Sequence, residues 1–313
     1  MVANPVAAAV AVPVRGAHSP QAPLGTPSFS LGRWFRATGW RHLIGIAALV
    51  VAMFPLIFVV SASLSKVATL TGSNALFSSI SLDSYKALFD DPLHPYIWWW
   101  LNSMWVGIVT AVLTVFLGAL AAYAFSRFQF RGRRGGLLSL ILVQMFPQML
   151  AFVAIFLLLS GLQDVLPALG LGTRWGLIFV YLGGALGVNT YLMYGFFNTV
   201  PRDLDESAKI DGAGHAQVFF TIILRLVAPI LAVVALLSFV GVLNDFLLAS
   251  ITLTDPKTQT LAVGLYALVS DQFNQNWGVF AAGAVLGAIP VVVLFQFLQR
   301  YIVGGLTAGA VKG

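Results

Sequence analysis

The sequence predicts an all-α, polytopic membrane protein with six transmembrane helices, and three observations predict it. The 313 residues are 59% hydrophobic and only 9% charged, whereas a water-facing domain carries about a quarter charged residues. Mean hydropathy is +0.90. The apolar residues are gathered in runs long enough to cross a bilayer, which takes about 20 residues of helix, and none of these runs alternates as a membrane β-barrel strand does.

Taken in order, residues 1–32 are rich in Ala, Pro, Val, Gly and Ser and poor in charge, a bias that builds no packed core. They read as a disordered cytoplasmic tail. The apolar run 6–14 is broken by Pro13 and has no basic residue ahead of it, so it is not read as a cleaved signal peptide. Residues 33–42 place Trp34, Phe35 and Trp40 among arginines, the pattern of an interfacial helix at the headgroups. A transmembrane domain then occupies 43–301, with spans expected at 43–64, 97–124, 137–160, 175–197, 226–251 and 279–301. Residues 302–313 form a C-terminal cytoplasmic tail.

Charge sets the orientation. With the N-terminus inside, thirteen of the 17 Lys and Arg residues fall on inner segments, leaving Lys66, Lys86, Arg174 and Lys257 outside. That asymmetry puts both termini in the cytoplasm, and it accounts for the net charge of +6 without any nucleic-acid partner. Trp98, Trp99 and Trp100 stand at the outer mouth of the second span and read as interface anchors. Gly118 with Ala122, and Gly283 with Gly287, are small-residue pairs that permit close helix approach. Asp245, next to Asn244, is the one carboxylate placed inside a span. It lines a polar pathway, hydrogen-bonds a neighbouring helix or, near the outer end of its span, is simply solvated, since an unpaired carboxylate in hydrocarbon is costly. The chain contains no cysteine, hence no disulfide and no thiolate metal site. With no metalloprotease helix motif, nucleophile elbow or phosphate-cradling loop either, it reads as a non-enzyme that binds neither metal nor ATP itself.

The segment that carries function is 201–225. Pro201 suits a helix start, and Asp203, Asp205 and Glu206 favour that helix's positive end. Asp211-Gly212 reads as a turn, after which His215 resumes a helical pattern. Glu206, Ser207 and Ala208, then three residues, then Gly212, then Ile222 and Leu224 resemble the "EAA" loop of ABC importer permeases. Ser207 stands for the first alanine of that motif, Arg225 for its proline, and Pro229 arrives four residues later. The runs 229–234, 260–264 and 305–313 are similar to the MalG-type permease of maltose/maltodextrin importers, and the layout from about Arg41 onward matches that family.

The resemblance implies a MetI/MalG-like fold in a bacterial inner membrane. It implies three kinds of partner besides the bilayer: a second, MalF-like permease, a homodimer of MalK-like ATPases carrying ATP and magnesium, and an extracytoplasmic sugar-binding protein. Glu206, Ser207, Ala208, Asp211, Gly212, Ala213 and Phe219 are expected to dock onto the ATPase. Asp271, Phe273, Asn274, Asn276 and Trp277 would reach into the binding protein's sugar cleft. Gly309, Val311, Lys312 and Gly313 would insert between the ATPases, and Asn244 and Asp245 are the translocation-path residues. The alternatives are a permease for another solute such as trehalose, and an ion-coupled secondary transporter using Asp245.

Overall fold

The computed structural model of the protein describes residue 32 and residues 35–66, 76–270 and 276–310, and among these there is no strand. Contacts divide the chain into a unit ending at Phe54 and one beginning at Pro55. In the first, a π-wound turn, Phe35–Gly39, runs directly into helix α1, Trp40–Ser63. The interfacial segment and the first span are therefore one helical stretch, with the Arg41 guanidinium over the Trp40 ring.

The second unit adds α2 (Asp83–Asp90), α3 (Tyr96–Arg127), α4 (Arg133–Gln144), α5 (Gln148–Val165), α6 (Arg174–Phe197) and α7 (Asp203–Ile210). The remaining helices are α8 (His215–Leu226), α9 (Ala228–Asn244), α10 (Leu247–Thr252), α11 (Leu261–Ser270) and α12 (Trp277–Ala310). Among the described residues four helices are long and apolar enough to cross a membrane: α1, α3, α6 and the Trp277–Tyr301 part of α12. The bent pair α8–α9 makes a fifth.

Two expected spans are interrupted. Proline explains a break in 137–160 and a bend at the start of 226–251; the latter span is also broken at residues 245–246, between α9 and α10, where no proline stands. The segment 137–160 breaks at residues 145–147 into α4 and α5; Pro147 donates no backbone hydrogen bond and disfavours helix at the residue before it. Between α8 and α9 the axis turns by 79°. Pro229 sits in the first turn of α9 and leaves the Arg225 carbonyl without its helical donor. A bend is thus present although Arg225 stands where the motif has proline, and Pro229 supplies it. At the other extreme α12 continues to Ala310, so most of the expected 302–313 tail is helix.

α3 packs along α6 and α9, and α9 along α12. The small-residue pairs are where helices meet. A side chain at Gly118 would sit 2.9 Å from the Met193 methyl of α6, and Leu265 and Leu261 of α11 occupy the space above Gly283 and Gly287. The tryptophan triplet divides. Trp98 is exposed, but Trp99 is 1% exposed and donates from Nε1 to the Pro256 carbonyl at 2.8 Å. It belongs to the core rather than to an interface belt, because Gly264 has no Cβ to displace its indole.

Candidate functional site

The 201–225 segment folds as two short helices around one turn. α7 opens with three acidic residues in its first turn, which favours the helix's positive end. Its C-terminus closes by two backbone bonds, Ala213 N–H to Ala208 O at 2.9 Å and Gly212 N–H to Lys209 O at 3.0 Å. This double closure needs a left-handed residue at the turn, and Gly212 supplies it with φ +85°. The space around Gly212 is open, so a larger residue there is opposed by the backbone and not by a neighbour.

The turn sorts the motif residues into two faces. Glu206, Ser207, Ile210, Asp211 and Gly212 are exposed, with Ile210 at 86%, and Ala213 is half-buried. Ala208 and Phe219 are not on that surface. Both are buried in a core cluster with Ala122, Tyr123, Phe197 and Val218, and the Phe219 ring lies 5.0 Å from that of Tyr123. They hold the loop from beneath. Ile210, which the motif does not feature, takes their place at the tip.

One residue was legible in the sequence only as an orientation charge. Arg127, the last residue of α3, forms an ion pair through Nε with the buried carboxylate of Asp205 in α7. Its other nitrogens donate to the carbonyls of Phe197 at 3.3 Å and Val200 at 3.1 Å. Arg202 returns a bond to the Ser126 carbonyl at 3.1 Å. Nothing in local sequence links position 127 to 205; the pairing exists only because α3, the end of α6 and α7 converge.

The second site lies at the far end of α9. Asp245 accepts from the Tyr181 hydroxyl at 2.9 Å and from the Ala249 amide at 3.0 Å. It therefore hydrogen-bonds a neighbouring helix and also lines a cavity of about 290 Å³ with Thr110, Tyr181, Asn189, Ser238 and Gly241. Asn189 donates to Ser238 at 3.3 Å, while the buried Thr110 hydroxyl has no partner. Asn244 is exposed beside Asp245. Hydroxyls, an amide and a carboxylate on one groove make a surface that costs much against lipid and little against water. On the other side of α9 a cleft of about 570 Å³ is lined by Met104, Val112, Phe239, Pro290 and Val293 among other apolar side chains.

The remaining expected sites are reached only at their margins. Asn276 and Trp277 begin α12, where the Asn276 amide bonds the Leu268 carbonyl at 3.3 Å and the Trp277 ring sits 6.0 Å from Phe280. Asp271, Phe273 and Asn274 lie outside the described residues, as do Val311, Lys312 and Gly313; Gly309 is in the last turns of α12. Among the described residues no group of three His, Asp or Glu side chains is placed to hold a metal ion.

Residues 22–307 match the family described as binding-protein-dependent transport system inner membrane component. The chain belongs to that family. It is 42% identical to the galactooligosaccharides transport system permease protein GanQ of Bacillus subtilis (strain 168), over 84% of this chain and 92% of that protein. It is 41% identical to the maltodextrin transport system permease protein MdxG of the same organism, with the same coverage. The maltose/maltodextrin permease protein MalG of Vibrio vulnificus (strain YJ016) is 40% identical over 87% of this chain and 95% of that one. In structure the chain resembles one from a bacterial ABC transporter involved in the import of the acidic polysaccharide alginate. That match has a TM-score of 0.69 at 25% identity and covers 88% of this chain and 99% of that one. The protein is thus an inner-membrane permease component of a transport system with the MetI/MalG-like fold.

Proposed function

We propose that this permease forms half of the translocation pathway of an ABC importer for maltodextrin-like oligosaccharides and is driven by cytosolic ATPases through the 201–225 loop. The observation that carries the reading is the tip of that loop. Ile210 is 86% exposed beside Glu206, Asp211 and Gly212, on a turn braced from below by Ala208 and Phe219. A turn braced from beneath holds these exposed residues in one fixed surface, which suits docking of a protein partner, and the motif supplies the kind of partner: an ATPase homodimer that holds ATP and magnesium while this chain binds neither.

The basic residues Arg127, Arg131, Arg133, Arg134, Arg202, Lys209 and Arg225 gather on segments at the loop's end of the helices, which supports a cytoplasmic loop and two cytoplasmic termini. A second permease would complete the pathway around the polar groove at Asp245. An extracytoplasmic sugar-binding protein would meet the opposite end, where residues 271–277 carry the amides and aromatics suited to a sugar cleft. The C-terminal residues from Gly309 onward would reach the ATPases. The names of the MdxG and MalG relatives support maltodextrins as substrate. The GanQ relative supports galactooligosaccharides as the second reading.

The test is purification of the chain from detergent-solubilised native membranes, with and without a Glu206 and Gly212 double substitution, followed by oligosaccharide uptake. Co-purification of a second permease and an ATPase, lost with the substitutions, and uptake of maltodextrin over galactooligosaccharide are the expected results. Recovery of the chain alone, under conditions that keep a reference ABC complex intact, would refute the assignment.

A further inference from the structure

We propose that Arg127 and Asp205 form the rigid joint through which displacement of α7 reaches the spanning helix α3, a proposal that rests on the ABC-importer reading above. Both side chains are buried, at 6% and 8% exposure. A buried carboxylate depends on its counter-ion, and Asp205 keeps one oxygen with no hydrogen-bond partner at all, so Arg127 is what compensates it. The same guanidinium caps the Phe197 carbonyl at the end of α6, where cations are favoured, and the Val200 carbonyl just beyond it. One planar group thus ties α3, α6 and α7 at a single point. The reciprocal bond from Arg202 to the Ser126 carbonyl removes the freedom to pivot about it.

The far end of α3 is tied as firmly. Trp99 holds the Pro256 carbonyl, Asn102 holds the carbonyls of Lys257 and Gln259 at 2.8 and 3.0 Å, and Ser103 accepts from the Leu261 amide at 2.7 Å. Asn102 also accepts from Arg174, the first residue of α6, at 3.0 Å. A helix of 32 residues is about 48 Å long and stiff, so force applied at Asp205 arrives at the loop 256–260 on the opposite side. The surface of α7 that meets the ATPase is Glu206, Ser207 and Ile210; Asp205 faces the other way. Docking and transmission therefore use different residues of one helix.

The experiment uses the full chain assembled with its second permease and ATPase in proteoliposomes, measuring ATP-driven oligosaccharide uptake and ATP hydrolysis together. Asp205→Asn keeps the shape and weakens the pair. A joint predicts that uptake per ATP falls about tenfold while hydrolysis persists; an unchanged ratio, or a parallel fall of both rates, overturns it. Where that variant weakens assembly, the double variant R127C/D205C decides, since removing both charges leaves neither buried alone. The chain has no other cysteine, so a bifunctional thiol reagent bridges this pair specifically. A rigid joint predicts uncoupled hydrolysis before bridging and recovered uptake after it. Bridging that blocks uptake, or changes nothing, or a double variant that does not assemble, overturns the joint. A wild-type complex that recruits no ATPase and takes up no oligosaccharide removes the importer reading and the joint with it, a result the wild-type arm alone reveals.

Discussion

The two grooves flanking α9 differ in chemistry more than in kind. Toward α6, the stripe Ser238, Gly241 and Asp245 meets Tyr181 and Asn189 around about 290 Å³ of polar space. Toward α3 and α12, the stripe Leu231, Ala235 and Phe239 lines about 570 Å³ with almost nothing polar. Both stripes follow helical spacing on one helix, so a single element addresses two different surroundings. On the pathway proposed above, lining chemistry and not volume selects the groove a sugar would use. The larger cleft offers no hydrogen bond to a sugar hydroxyl. The smaller one presents donors and acceptors at a depth where leaving them against lipid would be costly.

The sharpest way to break this comparison is to fill each groove. Gly241 has open space where a Cβ would stand, so Gly241→Trp should fold and assemble yet reduce oligosaccharide uptake by about a hundredfold, as a plugged pathway requires. Ala235→Leu, which fills the apolar cleft, should leave uptake near wild type and shift stability by no more than about 0.5 kcal/mol. Equal losses from both would erase the distinction. A gentler probe exploits the absence of native cysteine: Gly241→Cys should react with a charged, membrane-impermeant thiol reagent at least about tenfold faster than Val293→Cys, because only the thiolate in water reacts. Smaller again is Tyr181→Phe, which removes the bond to Asp245 and should lower stability by about 1 kcal/mol in thermal unfolding of the purified chain.

The smallest effect lies outside both grooves. Burial raises the Asp91 carboxyl, but hydrogen bonds from His94 and the Leu93 amide outweigh it, and the group ends below its usual value of 3.8. A depressed carboxylate stabilises the fold above its unfolded pKa and loses that contribution as pH falls through the folded one. The stability difference between wild type and Asp91→Asn should therefore be present at neutral pH and vanish in acid below 3.8, read as thermal midpoints against pH.

Much of the site was legible in the residues themselves. Asp211-Gly212 read as a turn, and Gly212 makes that turn with φ +85°. Arg225 in the place of the motif's proline left the bend after α8 undecided in sequence, and the 79° turn comes where Pro229 opens α9. Burial was not legible. Ala208 and Phe219 carry the same small or apolar character whether they face a partner or their own core, and only the packing of α7 and α8 into the cluster with Tyr123 and Phe197 distinguishes the two. Trp99 and Trp98 are identical in type, and Gly264, 165 positions downstream of Trp99, decides which of them is covered.

What the sequence determined by itself was the solvent and the class of fold. Apolar runs of bilayer length with almost no charge leave a helix as the only way to satisfy the backbone, and the clustering of basic residues supports one orientation. The 201–225 motif supplied the likeness to a permease family. Tertiary structure decided what is local neither in sequence nor in composition. It paired Arg127 with Asp205, brought Tyr181 to Asp245, and separated the two faces of α9. Each of these depends on side chains from helices far apart in the chain, and it is helix packing that brings them within a few ångströms.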